Sequence, residues 1–114
     1  MHEYSLVEAL VRRVETEAAR RGALQIHSLT VSVGELAGVE PELFRTAYET
    51  FRAGTLCEDA ELRLVQHAAA WACPSCGKPI AKGAVLRCPG CDVPAKLDAN
   101  SDALLLESID MEVP

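Results

Sequence analysis

Two Cys-x-x-Cys pairs constrain the fold of this chain more than any other feature of its sequence. The first pair is Cys73 and Cys76, the second is Cys88 and Cys91, and eleven residues separate Cys76 from Cys88. Four thiolates at this spacing can meet across a short hairpin around one tetrahedral Zn²⁺, each sulfur about 2.3 Å from the metal. A segment of about thirty residues buries too little surface to fold unaided. Metal binding would therefore have to supply the folding free energy of this lobe.

The predicted zinc site is structural rather than catalytic. Four thiolates close the coordination sphere and leave no position for a water molecule. A redox-active dithiol pair and an iron site are the alternatives that the same four cysteines leave open. The chain has a fifth cysteine, Cys57, which lacks a partner at metal-site spacing. The odd number argues against a disulfide framework, and we interpret Cys57 as an inert small residue.

The residues before the cysteines show helical and extended patterns in alternation. Apolar residues at spacings of three and four predict an amphipathic helix over residues 3–21, which Gly22 ends. The segment "HSLTVSVG" alternates apolar and polar residues and predicts a half-buried strand that ends at Gly34. Pro41 then opens a second amphipathic helix, which Gly54 closes.

Two further strands flank the cysteine lobe. The segment "AELRLVQH" predicts a second strand that runs on through "AAAWA" to the first cysteine. The segment "DALLLESIDMEV" predicts a last strand in which four residues share one phase: Leu105, Ile109, Met111 and Val113. We expect an α+β fold with two helices on a small three-stranded mixed sheet and an inserted zinc-ribbon-like lobe. The expected domains are an α/β domain of residues 1–70 plus 101–114 and a four-cysteine domain of residues 71–100.

The predicted order of elements also places the N-terminus in the fold. Short connections make each helix run opposite to the first strand, so both helices start at one end of the layer. The first strand leaves the sheet at that same end. We therefore expect Gly34, Glu35 and Glu40 to approach His2.

Composition and charge argue against several classes of function. The 114 residues include 17 acidic and 11 basic side chains, and no run of basic residues would attract nucleic-acid phosphates. No apolar stretch approaches the roughly 20 residues that cross a bilayer, and the polar start "MHE" is unlike a signal peptide. The sequence shows no catalytic constellation of serine, histidine and carboxylate. We expect a cytoplasmic protein that is not an enzyme and has no nucleic-acid partner.

His2 follows the first methionine directly, where a histidine can chelate a metal together with the chain terminus. The Met1 amine, the deprotonated His2 amide and the His2 imidazole close fused rings around one ion. Such a nearly planar nitrogen set suits Ni(II) or Cu(II) rather than zinc. A histidine near a terminus is more often exposed and without a function, so this pattern alone does not assign a site.

Four stretches of the sequence occur together in one order: "MHEYSLVEAL", "VGEL", "LFRTAYETFRAGT" and the two CxxC pairs. In this combination the chain resembles the HypA/HybF family of hydrogenase nickel-insertion proteins, from "MHE" to "LLLESIDME". The resemblance implies a nickel metallochaperone with a nickel site at its N-terminus and a separate structural zinc site. It implies delivery of nickel to the large subunit of [NiFe]-hydrogenase with a HypB-type GTPase, and in some members to urease. The sequence does not decide the oligomeric state, and both a monomer and a homodimer are compatible with it.

The resemblance implies metal-binding roles for particular residues of this chain. His2 becomes the nickel ligand of the α/β domain, with the Met1 amine and Glu3 as its companions. The zinc ligands become the four paired cysteines, Cys73, Cys76, Cys88 and Cys91. Glu40 is a further candidate to touch nickel or its ligands, because the expected topology brings it near His2.

Other residues receive plainer interpretations. Some relatives carry histidines beside the cysteines, but Lys78 and Asp92 stand there in this chain, so a histidine switch at the zinc is not expected. His27 falls in phase with the apolar face of the first strand, and His67 ends the second strand; both are interpreted as structural. Two other functions remain as alternatives to a nickel metallochaperone. One is a zinc-ribbon regulatory module that binds protein or nucleic acid, and the other is a thiol oxidoreductase.

Overall fold

The computed structural model describes residues 2–81 and 85–114, and for His2 it describes the backbone alone. The elements in chain order are α1 (His2–Arg20), β1 (Gln25–Gly34), α2 (Pro41–Phe51), β2 (Glu61–His67), β3 (Trp71–Ala72), β4 (Pro79–Ile80), β5 (Lys96–Leu97) and β6 (Leu104–Glu112). Both helices and the three long strands lie where the periodicity of the sequence predicts them. Neither helix of the described ranges combines the length and apolarity that crossing a membrane requires.

A mixed three-stranded sheet organises the fold, with β1 in the centre between β2 and β6. β1 and β2 are parallel, as a strand–helix–strand crossover through α2 allows, and β1 and β6 are antiparallel. The three short strands form a second sheet in the order β4-β3-β5. The expected α+β architecture, two helices on a mixed sheet with an inserted cysteine lobe, is confirmed.

Both helices contribute buried side chains to one hydrophobic core with the large sheet. Val7, Val11 and Val14 of α1 are completely buried at the three-and-four spacing that the sequence displays. Phe44 and Tyr48 are the largest buried side chains of α2. Burial of each such apolar side chain contributes about 1.5–3 kcal/mol, so this core is the main source of stability for the α/β layer.

A β-bulge in β6 overturns the predicted phase of the last strand. Pairing with β1 passes from Ser108 directly to Leu106, so Glu107 lacks a partner in β1 and the alternation shifts by one residue. The residues packed on the core lie on both sides of the bulge: Leu104, Leu106, Ile109 and Met111. The prediction that Leu105 shares the phase of Ile109 and Met111 is wrong, because its side chain is 43% exposed. Val113 lies beyond the end of β6.

A second bulge lies in β1 at His27. The pairing with β6 steps from Ile26 to Ser28, so Ile26 is buried in the core and His27 is exposed. The His27 imidazole Nε2 lies 3.5 Å from a carboxylate oxygen of Glu112. The prediction that His27 follows the apolar face of the strand is therefore wrong.

β2 does not continue to the cysteines, and the prediction of one unbroken strand is wrong. β2 ends at His67, and β3 starts at Trp71 in the other sheet. Between them Ala70 accepts a hydrogen bond from the Asp98 N–H at 2.8 Å and donates its own N–H to Ser101 Oγ at 3.0 Å. The extended strand is interrupted here because the segment that enters the lobe is hydrogen-bonded to the segment that leaves it.

Gly34 determines where the returning segment packs on the large sheet. Its N–H donates to the Ala103 carbonyl at 2.9 Å, and the Leu36 N–H donates to the Ser101 carbonyl at 2.8 Å. A Cβ atom on Gly34 would overlap the backbone of Asn100 and Ser101. Only glycine permits this close approach, which places the lobe at the end of the sheet where β1 and β2 finish.

Candidate metal centres

The two cysteine pairs adopt the same backbone turn. The Cys73 carbonyl accepts from the N–H of Gly77 at 2.8 Å, and the Cys88 carbonyl accepts from the N–H of Asp92 at 2.8 Å. Gly77 and Asp92, each four residues after the first cysteine of its pair, have φ values of 76° and 51°. In the second pair the residue in the left-handed region is therefore an aspartate rather than a glycine.

These turns bring all four thiols together in one cluster. The Sγ atoms of Cys73, Cys76, Cys88 and Cys91 all lie within 4.8 Å of one another. The Sγ atoms of Cys76 and Cys88 are 3.9 Å apart. Four sulfurs placed about 2.3 Å from a tetrahedral ion would be about 3.8 Å apart, so the donor set fits Zn²⁺ in both chemistry and spacing.

The first pair stabilises negative charge on sulfur. The backbone N–H groups of Cys76 and Ser75 each donate to Cys73 Sγ at 3.4 Å. Chiefly because of the Cys76 N–H, the pKa of Cys73 is lowered to about 6. Hydrogen bonding with the Cys73 thiol, followed by that with Cys76, instead raises the pKa of Cys91 to about 12. These hydrogen bonds thus favour a thiolate on Cys73, and a bound cation would favour the same form at every sulfur.

Within the described part of residues 71–100, Cys73 and Cys88 are the only buried residues. The other two cysteines are exposed. Arg87, one of the basic residues of the lobe, is bound to Asp92 by an ion pair of 2.7 Å and by a hydrogen bond to its carbonyl. Arg87 is therefore engaged inside the lobe, which weakens the alternative of a phosphate-binding surface.

The N-terminal candidate residues stand at the start of α1. The helix begins at His2; Met1 and the His2 side chain lie outside the described residues. A Glu3 carboxylate oxygen accepts from the Glu40 backbone N–H at 3.4 Å. The Glu40 carboxylate in turn accepts from the Glu42 N–H at 3.0 Å and caps α2. Glu40 therefore contacts Glu3, the residue after His2, while the expected approach to the His2 side chain itself lies outside the described residues.

A cleft of about 510 Å³ adjoins this region. Glu35, Glu40 and His67 line it, at the ends of β1 and β2. One Glu35 carboxylate oxygen accepts from the Ala69 N–H at 2.8 Å, which ties Glu35 to the path toward the lobe. Sequence reasoning treated His67 as structural; the parallel pairing that sets His67 opposite Gly34 is a long-range feature that the local pattern did not reveal.

Cys57 is buried in the core, away from the cysteine cluster. Burial, followed by the charge of Glu15, raises the pKa of the Cys57 thiol to about 11. The neighbouring Tyr48 hydroxyl donates to the Ala60 carbonyl at 2.8 Å, and burial raises the Tyr48 pKa as well. A thiol held neutral in this way is a poor nucleophile, in line with the inert role expected for Cys57.

Comparisons of the sequence match the chain to one family along its length. The family described as "Hydrogenase/urease nickel incorporation, metallochaperone, hypA" matches residues 1–111. A hydrogenase maturation factor HypA of Aquifex aeolicus (strain VF5) is 35% identical over 114 residues, which cover 99% of each chain. A second HypA, of Shewanella sp. (strain MR-7), is 34% identical over 98% of this chain and 96% of its own.

Two solved structures share the fold. The solution structure of the Ni metallochaperone HypA from Helicobacter pylori has a TM-score of 0.71 at 28% identity and covers 98% of both chains. A further solution structure of a HypA protein has a TM-score of 0.78 at 30% identity, over 97% of this chain and 96% of its own. The likeness therefore includes both the α/β layer and the cysteine lobe.

Proposed function

Since this chain belongs to the HypA family of nickel-incorporation metallochaperones, we propose that it binds Ni(II) at its N-terminus and delivers it during [NiFe]-hydrogenase maturation. The proposed nickel ligands are the Met1 amine, the His2 amide and imidazole, and Glu3. The observation that carries the proposal is the contact of Glu3 with Glu40 beside the first residue of α1. It supports a site in which helix starts and carboxylates surround the chain terminus.

The position of His2 in the helix suits a chelating amide. The first four N–H groups of an α-helix have no acceptor within the helix. Because α1 begins at His2, its backbone nitrogen can lose a proton to a metal without breaking a helical hydrogen bond. A metal bound at this residue would sit at the N-terminal end of α1 and would leave the hydrogen bonds of the helix intact.

The electrostatics of this site favour reversible binding. A helix N-terminus carries a partial positive charge of about half a unit, which opposes a bound cation. The Glu3 and Glu40 carboxylates offset that charge at the starts of α1 and α2. Opposing effects of this kind yield a site that collects nickel and still releases it, as a carrier requires.

In this proposal zinc is bound by Cys73, Cys76, Cys88 and Cys91 and stabilises residues 71–100 as a domain. Nickel belongs to the domain of residues 1–70 plus 101–114. The closed thiolate set and the open terminal set differ in donor chemistry, so each metal has its own site. The protein acts as a carrier rather than as an enzyme. It acts in the cytoplasm, where thiols are kept reduced. Its proposed partners are a HypB-type GTPase and the hydrogenase large subunit.

Nickel calorimetry on untagged, zinc-loaded protein tests the nickel site. His2→Ala should lower nickel affinity at least 100-fold, whereas His27→Ala, which changes an exposed histidine on the β1 bulge, should leave it within twofold. An N-terminal extension of several residues should weaken binding as strongly as His2→Ala, because it moves the amine out of the chelate. Full nickel affinity in His2→Ala would sink the assignment.

The same ligands predict a pH dependence. An imidazole ordinarily titrates near pH 6.5 and a terminal amine near pH 8, so protons compete with nickel at both groups. Nickel affinity should fall steadily from about pH 8 to about pH 6. Equal affinities at these two pH values would contradict an amine and imidazole chelate.

A further inference from the structure

The outer edge of β6 is an open strand edge. β6 lies at the border of the large sheet, and no strand of the described chain pairs with its far side. The carbonyls of Ala103 and Glu112 accept from the β1 side, so by alternation the backbone groups of the intervening core-facing residues point away from β1. These residues are Leu104, Leu106, Ile109 and Met111. Their N–H and C=O groups form a template for another strand.

An apolar cleft runs beside this edge, between β6 and α1. One part, of about 190 Å³, is lined by Leu6 and Leu10 of α1 and by Leu104 of β6. A second part, of about 360 Å³, is lined by Ile109 and Met111. Arg13 and Leu106 line both parts, so the two form one groove along the strand. We call this the α1–β6 groove.

The charges around the groove differ on its two sides. On the α1 side Glu17 and Arg21 also line the groove and pair with each other at 3.8 Å, whereas Arg13 has no ion pair with any described residue. Its neighbour Arg12 is paired with Glu8 at 3.2 Å. On the solvent side of β6 the exposed side chains include Asp110 and Glu112. A strand added to this edge therefore meets an unpaired cation on its inner face and carboxylates on its outer face.

These charges argue against a second copy of the chain as the occupant. Antiparallel pairing of β6 with β6 of another copy would bring the exposed acidic side chains of both strands, Glu107, Asp110 and Glu112, together along one pair of edges. Like charges across a strand pair are destabilising, and each copy carries a net charge of −6. The edge thus resists self-association while its backbone groups remain available.

We propose that the α1–β6 groove receives an extended segment of a different protein, which adds a fourth strand along β6. The inner face of that segment carries apolar side chains and one carboxylate opposite Arg13. Its outer face carries basic side chains beside Asp110 and Glu112. Main-chain hydrogen bonds supply the affinity and the alternation of side chains supplies the specificity.

Synthetic peptides and amide hydrogen exchange test this proposal on the full-length, zinc-loaded chain. The probe alternates lysine with valine and has one central glutamate on the valine face. It should slow exchange of the outward N–H groups of Ile109 and Met111 and leave the outer edge of β2 unchanged. A peptide with the charges exchanged, and a scrambled peptide of the probe's composition, should bind about tenfold more weakly.

Two charge reversals with matched controls locate the contacts. Arg13→Glu should weaken the probe about tenfold, while Arg12→Glu on the same helix should change its affinity less than twofold. Asp110→Lys should weaken it similarly, while Glu61→Lys on the opposite strand of the sheet should not. All four positions are exposed, so the variants should retain the fold.

The proposal fails if the probe protects neither Ile109 nor Met111 or if the charge-exchanged peptide binds as well as the probe. It also fails if the β6 amides become protected without peptide as protein concentration rises, because that result identifies a second copy as the occupant. Nickel calorimetry on the same samples reports on the terminal site independently.

Discussion

Removing zinc should unfold residues 71–100 and leave the large sheet folded. The perturbation is a strong chelator, or Cys88→Ala, which removes one buried thiol of the cluster. The two cases should give the same result, because either one leaves the lobe without a closed four-sulfur site. The expectation rests on zinc as the metal of the cluster.

The magnitude follows from the burial pattern. The hydrophobic core draws all of its members from the α/β layer, and the described part of the lobe buries only Cys73 and Cys88. Burial of two thiols contributes on the order of 1–2 kcal/mol each. Structural zinc contributes about 10–16 kcal/mol near neutral pH. Loss of the metal therefore removes most of what stabilises the lobe.

Amide hydrogen exchange followed by NMR resolves the two regions. The N–H of Cys73 donates to the Lys78 carbonyl at 2.9 Å, and that of Cys88 donates to the Val93 carbonyl at 2.9 Å. Both amides should lose protection when zinc is removed, while that of Val31 in β1 should keep it. Cys57→Ala is the matched control, since it removes an equally buried thiol outside the cluster.

Persistent protection of the Cys73 and Cys88 amides after complete zinc removal would refute this reasoning, because hydrogen bonds and packing would then suffice. Loss of protection in β1 at the same metal concentration would also refute it, since the two regions would unfold as one unit. A Cys57→Ala variant that bound less than one zinc per chain would show that zinc binding is not confined to the four-cysteine cluster.

Three further changes follow from particular contacts. Gly34→Ala should lower the free energy of unfolding by about 1–3 kcal/mol in urea titrations, because the new Cβ overlaps the backbone of Asn100 and Ser101. The control Gly90→Ala should change it little, because the space around its Cβ is open. Glu3→Ala should cost nickel-free protein about 0.5–1 kcal/mol, less at high salt, because the first turn of α2 loses a carboxylate; Glu8→Ala, which breaks only a surface pair, should cost less. The Cys57 thiol has a folded pKa of about 11, raised above its value of 9.0, so its contribution is complete below pH 9 and is lost as pH rises through 11. Wild type should therefore lose about 2–3 kcal/mol more stability than Cys57→Ala between pH 8 and pH 11.5 in the same assay, and equal losses would contradict a buried neutral thiol.

The parts of the fold that sequence predicted well are those governed by local pattern. α1 and α2 lie within a few residues of their expected bounds, because apolar spacing and the residues at helix ends act over one or two turns. The errors concern long-range pairing. The bulges at His27 and Glu107 shift the phase of two strands, and a bulge depends on the partner strand rather than on its own sequence.

The candidate sites divide in the same way. The four cysteines were identified from spacing, because each pair forms its turn within a few residues. Glu3 and Glu40 are 37 positions apart, and their hydrogen bond is a long-range contact; the topological argument from sequence placed Glu40 near His2 but did not predict this bond. The place of His67 in the cleft could not be predicted, because it depends on parallel pairing with β1.

By itself, the sequence determined the two candidate donor sets of this protein: four cysteines at a spacing that suits zinc, and a histidine directly after Met1. These features are local, and side-chain identity alone specifies them. The tertiary structure decided what surrounds them. The close packing at Gly34 sets the lobe at the end of the sheet where α2 begins. The outer edge of β6 is open because no other strand of the described residues pairs with it. Such features arise from contacts between distant segments, which no short stretch of sequence specifies.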